Sequence, residues 1–300
     1  MTRIAVTRIA GLLLAALLPT GLLAGCGTQD PLQANRTQSD SVVVGSADFP
    51  ESELLMHIYA EALRSTGTDV RTEGRIGARE IFVRATRSGE LAVVPDYTGN
   101  LLRYLDPQSQ ATRPADVNRE LKDRLPPDLD VLQPAPAQDA DVLAVTGRTA
   151  ASGVRSLQDL GPRCGDLVLG APAEWKSRWA DKISQLYGCR FRDIRSVEAG
   201  SVTTKALTSG QVQVADMFTT SPDIGEHGLV PLADPKGVFP AQNVVPLVGS
   251  GRLTPEQIAA LDRVNRALTT RELTALDRRL QVDKDNPADL AKEFVHRAGP

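Results

Sequence analysis

Three hundred residues, 41% hydrophobic and 24% charged, hold enough apolar material for about two domains of ordinary size and exclude wholesale disorder. The formal charge is -3 at pH 7, and because residues 1–25 carry two arginines and no acids, the remainder stands at -5. A basic face of the kind nucleic-acid binding needs is therefore disfavoured.

In chain order, Arg3 and Arg8 come first, then the apolar run GLLLAALLPTGLLAG, then Cys26. A basic segment, a hydrophobic stretch and small residues at a cleavage point predict a secretion signal over residues 1–25. A membrane-spanning helix is disfavoured, since the run contains Pro19 and is shorter than the roughly 20 apolar residues a span needs. Leu23-Ala24-Gly25-Cys26 resembles the bacterial lipoprotein signal, which implies that Cys26 is lipidated and anchors the protein to the cell membrane on its extracytoplasmic side. Residues 26–40 are polar and aperiodic and read as a flexible tether. That leaves Cys164 and Cys189, which in an oxidising compartment are most simply a disulfide. A metal site would need histidines or further cysteines nearby, and His57, His227 and His296 lie far away in sequence.

From Ser41 the run SVVVGS reads as a strand, and in PESELLMHIYAEALRSTG the residues Leu54, Leu55, Ile58, Tyr59, Ala62 and Leu63 recur at helical spacing. Pro50 suits the first helical turn and Gly67 the far end. A second unit runs from DVRTEG through a helix around AREIFVRATRSG to the strand LAVVPDY. Strands alternating with helices predict an α/β fold with mostly parallel sheets and a ligand site at strand ends. Further on, a strand at LAVTGR, a helix around SLQDLG and strands at DLVLGAP and VVPLVGSGR follow. Three C-terminal helices, opened by Thr254-Pro255-Glu256, Thr270-Arg271-Glu272 and Asn286-Pro287-Ala288, are expected to pack on the first lobe. Trp175 and Trp179, one turn apart, are expected to cover a lobe surface rather than a ligand.

The chain also repeats itself. ATRSGELAVVPDYTG, from Ala85, matches ALTSGQVQVADMFTT, from Ala206, at alanine, Ser88/Ser209, Gly89/Gly210, Val93/Val214 and Thr98/Thr219. Each copy ends on an aromatic residue and a threonine. Reuse of a good helix-ending glycine explains the glycine, but not the matching aromatic and threonine, so two similar lobes are implied, with Tyr97 and Phe218 facing each other as a clamp. The lobes are taken as 41–146 plus 244–300 and 147–243.

No GxSxG, HExxH, GxxxxGK[ST] or CxxC motif occurs, and three scattered histidines are poor material for acid–base work, so neither an enzyme nor a cofactor is expected. The ordered motifs GSxxFxES (Gly45 to Ser52), PDYTGN (Pro95 to Asn100), ADMFTTSP (Ala215 to Pro222) and VFPAQNVVPLV (Val238 to Val248) resemble the glycine betaine/carnitine/choline-binding proteins of ABC importers, over nearly all of residues 41–300. The resemblance implies a two-lobed, hinged, periplasmic-binding-protein-like fold of type II. It also implies a monomer that closes on a small ligand and delivers it to an ABC permease.

Members that bind trimethylammonium compounds hold the cation in a box of tyrosines, because ring faces attract a desolvated cation. Tyr97 keeps its place in that box, Phe218 replaces one tyrosine, Gln242 stands where another ring is usual, and the stretch around Asp141 has no aromatic residue. Phe49 and Glu51, from the first motif, join the candidate set, with Asp96 and Asp141 as compensating acids and Arg79 as a grip for a carboxylate. Thr98, Asn100, Thr219, Gln242 and Asn243 suggest a more polar ligand held by hydrogen bonds. A surface adaptor with a degenerate pocket is the competing reading.

Overall fold

The computed structural model describes residues 41–299; the expected signal at 1–25, the tether at 26–40 and the lipidated Cys26 lie outside the described residues. The first run of elements is β1 (Val42–Gly45), α1 (Pro50–Arg64), β2 (Val70–Glu73), α2 (Arg79–Ser88), β3 (Val93–Tyr97), α3 (Thr98–Leu105), α4 (Pro114–Arg124) and β4 (Leu129–Val131). The second is β5 (Asp141–Thr146), α5 (Gly147–Ala151), α6 (Leu157–Leu160), β6 (Val168–Ala171), α7 (Trp175–Tyr187), β7 (Asp193–Ser196), α8 (Ser201–Thr208), β8 (Val214–Phe218), α9 (Pro222–Glu226) and β9 (Leu229–Pro231). The chain ends with β10 (Val244–Gly249), α10 (Pro255–Ala267), α11 (Thr270–Gln281) and α12 (Pro287–Ala298).

These strands form two five-stranded sheets of the same plan, β2-β1-β3-β10-β4 and β7-β6-β8-β5-β9. The chain passes between them twice, through residues 132–140 and 232–243, and the strand that follows each passage enters its new sheet antiparallel to the central strand: β5 against β8, β10 against β3. The sheets are therefore mixed rather than mostly parallel, because half of the pairings involve a strand arriving from the other lobe. For the same reason β5, which the sequence reading assigns to the first lobe, lies in the second sheet, paired with β8 and β9.

Each sheet is covered on both faces, which is why β3 and β10 are buried at every position and read as near-continuous apolar runs. The apolar stripe of α1 (Leu54, Leu55, Ile58, Leu63) lies under α10, α11 and α12 on one face of the first sheet. Burying such a side chain contributes about 1.5–3 kcal/mol. The polar tip of Tyr59 in this core is matched: its hydroxyl donates to Asn265 Oδ1 at 2.9 Å, and Asn265 Nδ2 donates to the Gln133 carbonyl at 2.7 Å. Thr254 and Asn286 cap their helices as expected. The cap of α11 is Thr269, one residue before the expected start, while Thr270 Oγ1 accepts from the Gln138 amide at 3.1 Å on the first passage.

In the second lobe Cys164 and Cys189 form a disulfide, joining the turn after α6 to the end of α7. Trp175 and Trp179 are core residues, not a surface cover: both are buried, with Trp179 edge-on to Phe239 at 5.4 Å.

Candidate functional site

The sequence repeat is a structural repeat. Gly89 and Gly210 both take left-handed backbone angles (φ 83° and 79°), and each helix ends in the same pair of bonds. The glycine amide reaches the carbonyl three residues back, and the Leu91 or Val212 amide reaches Ala85 or Ala206 at 3.1 Å. A side chain is disfavoured at such angles, so glycine recurs. The chain then turns into β3 or β8 and ends on the aromatic–threonine pair.

Ring and hydroxyl go to different tasks. Thr98 and Thr219 face the passages between the lobes: Thr98 Oγ1 accepts from the Asn243 amide at 3.1 Å, and Thr219 Oγ1 accepts from the Ala140 amide at 3.0 Å while donating to the Gln138 carbonyl at 2.8 Å. The threonine of each lobe thus holds the passage that leads into its own lobe's last-entering strand. The two passages pair with each other at Gln138 and Asn243. Gly99 completes this junction, since a Cβ there would stand 2.5 Å from the Ala241 carbonyl oxygen.

The rings face a cavity of about 410 Å³ lined from both lobes. Phe49 and Tyr97 stack at 6.2 Å and form one wall, with Phe82 beneath; Phe218, 39% exposed, stands on the wall from the second lobe with Gly200, Ser221 and Pro222. The ring stacked on Tyr97 is therefore Phe49, from the same lobe, and Phe218 contributes to the other side of the cavity. Asn100 and the Arg79–Asp96 pair also line the cavity. Arg79 Nη2 meets Asp96 Oδ1 at 2.8 Å, and Nε meets Oδ2 at 3.0 Å, a forked geometry that fixes the guanidinium. Asp96 also accepts from the Tyr97 amide at 2.8 Å.

Two further acids, Glu51 and Asp139, line the cavity. The Tyr97 hydroxyl donates to Glu51 Oε1, and Thr220 Oγ1 donates to Asp139 Oδ1 at 2.6 Å. Burial pushes Glu51 well above the usual carboxyl range, with Asp277 adding to it, and burial together with Glu51 does the same to Asp139. Asp277, from α11, is lifted by burial to about 6. Burial and the neighbouring Glu51 push the Tyr97 hydroxyl up as well, so it acts as a donor. Buried carboxyls of raised proton affinity beside stacked rings ionise more readily when a cation arrives, because an adjacent positive charge favours the charged form. Among the described residues, no group of three or more His, Cys, Asp and Glu is arranged to hold a metal ion.

The family described as the substrate binding domain of ABC-type glycine betaine transport systems matches residues 40–297. The chain belongs to this family. It is a substrate-binding protein of a glycine betaine-type ABC transport system, a class that works outside the cytoplasm with an ABC permease. It is 30% identical over 289 residues to the glycine betaine-binding protein YehZ of Escherichia coli, covering 90% of this chain and 93% of that one. It is 27% identical over 281 residues to a glycine-betaine-binding protein of Pseudomonas aeruginosa, covering 87% and 89%. The solved structure of apo YehZ aligns with a TM-score of 0.72 at 26% identity, over 86% of this chain and 99% of that chain. A glycine betaine/carnitine/choline ABC transporter structure aligns at 0.78 and 19% identity, over 86% and 98%, and supports the two-lobed fold.

Of the residues singled out in the sequence of this family member, Phe49, Glu51, Arg79, Asp96, Tyr97, Asn100 and Phe218 line the cavity. Thr98, Thr219, Gln242 and Asn243 do not; they build the junction between lobes. Gln242 is buried and accepts from the Asn100 amide at 2.9 Å, and Asn243 Nδ2 donates to the Ala135 carbonyl at 2.8 Å. Asp141 pairs with Phe218 in the sheet but does not line the cavity, and it lies near Arg178 and Arg103. Arg79 is taken up by Asp96, so its grip on a ligand carboxylate is already shared. Sequence reasoning missed Asp139, Thr220, Gln281 and the supporting Asp277. Asp277 had a signal: it falls on the apolar stripe of α11 with Leu273 and Leu276, where an acid is out of place. Asp139 and Thr220 had none beyond lying next to residues already chosen.

Proposed function

We propose that this protein captures a small quaternary ammonium compound of the betaine type between its lobes and delivers it to the permease of its transporter. The observation that carries this is the juxtaposition of stacked Phe49 and Tyr97, Phe218 on the other wall, and the buried carboxyls Glu51 and Asp139 in one cavity. Rings attract the cation through their faces, each contact contributing about 0.5–2 kcal/mol, and the two acids take the place of the tyrosines that are missing. A cation that touches both walls stabilises the closed form, which the permease reads. The protein acts as a monomer without cofactor, held outside the cytoplasm by a lipid on Cys26.

An open cavity of about 410 Å³ favours this reading over an adaptor with a degenerate pocket. Titration calorimetry and thermal denaturation with glycine betaine, choline, an ergothioneine-like betaine and a polyol test it. A quaternary ammonium ligand at a hundred times its Kd is expected to stabilise the protein by about 2.7 kcal/mol. Saturable binding of the polyol alone, or of none, refutes it. Metabolic lipid labelling of the protein and of Cys26→Ala tests the anchor, with label expected only when the cysteine is present.

A further inference from the structure

Outside this cavity, and sharing no residue with it, α3 of the first lobe and α7 of the second flank a pocket of about 240 Å³. Arg103 comes from α3, Arg178 and Lys182 from α7. Both guanidinium groups sit over the indole of Trp179, at 4.9 and 5.0 Å from the ring centre. Among the described residues, none of the three cations has a carboxylate within ion-pair distance. The one acid lining the pocket is Asp181, which leaves an excess of two positive charges. Burial first, and then Arg178, lowers the Arg103 pKa against the pull of Asp141; burial and Arg103 lower that of Lys182 against the pull of Asp234. The three cations therefore feel one another across the junction between lobes.

Asp141, Asp181 and Asp234 stand near these cations, yet none forms an ion pair with them, so the N–H groups of the cations are left for an anion that joins both lobes. Stacking on an indole orients a guanidinium while leaving its N–H edge free to donate in plane, the geometry that suits a two-oxygen acceptor. A lysine ammonium beside it adds a compact point charge. We propose that this pocket binds a small tetrahedral oxyanion, phosphate or sulfate, held by Arg103 on one side and by Arg178 and Lys182 on the other. The bound anion ties the lobes together at a point separate from the substrate cavity. Trp179, one of only two tryptophans in the chain, reports on it.

The test titrates inorganic phosphate, and separately sulfate, into the full-length protein at constant ionic strength with chloride as balance. Heat and tryptophan emission are followed. Saturable binding with a change in emission is expected, weakened about tenfold or more by Arg103→Gln and by Arg178→Gln. Arg266→Gln, an exposed arginine on α10, is expected to leave it unchanged. The proposal is overturned if chloride reproduces the effect of both oxyanions. Unaltered oxyanion binding in the double Arg103→Gln/Arg178→Gln variant overturns it as well. Because neither arginine lines the substrate cavity, betaine binding by the same variants is scored independently.

Discussion

Asp277 is a carboxyl placed where the fold would do better without its charge. It is 1% exposed, and burial lifts it from the ordinary 3.8 to about 6, with Asp139 adding to the rise and a hydrogen bond from Glu51 opposing it. The unfolded chain loses this proton near 3.8, while the folded protein keeps it to about 6. Between those values folding takes up a proton, so stability falls as pH rises. The full loss, reached above about pH 6, is ~3 kcal/mol. Asp277→Asn keeps the shape and removes the charge. It is expected to match the native protein near pH 4 and to exceed it by about 2–3 kcal/mol at pH 8, with Asn hydrogen bonds to Glu51 and Gln281 deciding where in that range it falls. Urea denaturation of both proteins at a series of pH values gives the difference directly, and taking the difference cancels the other acids to first order. A variant less stable than the native protein at pH 8, or a difference that does not change across pH 4 to 6, refutes the reasoning.

Three further outcomes follow from the same geometry. Since burial raises the proton affinity of Glu51 and Asp139 and a cation favours their ionised forms, binding of glycine betaine should release protons, and affinity should rise as pH rises above the ordinary carboxyl range; calorimetry in buffers of different ionisation heat measures this, and a flat profile contradicts it. Phe218→Ala should weaken a quaternary ammonium ligand about 3- to 30-fold while leaving the melting temperature in place, because the ring is 39% exposed and carries little of the core. Arg79→Ala should cost about 3–5 kcal/mol in denaturant unfolding, since it strands the buried Asp96 carboxylate; a change below 1 kcal/mol would show that Asp96 is satisfied by the Tyr97 amide alone.

By itself the sequence determined the local structure and the existence of two lobes. Helical spacing in 50–64, proline and glycine at helix ends and the recurrence of Ser-Gly before an apolar strand act over a few residues, and the structure has those elements. The 121-residue echo from Ala85 to Ala206 also gave the matched positions of Tyr97 and Phe218, since the same short-range bonds, Leu91 to Ala85 and Val212 to Ala206, shape both copies. What a run of residues could not reveal is which side of the backbone faces the cavity and which faces the junction. Thr98 and Thr219 read as ligand contacts beside their rings, yet adjacent residues at a strand end point in different directions, and both hydroxyls went to the passages between lobes. Gln242 and Asn243 followed them for the same reason. Asp139, Thr220 and Asp277 met Glu51 only because segments 88 to 226 residues apart converge on it, and the burial that moves their proton affinities is created by that convergence alone.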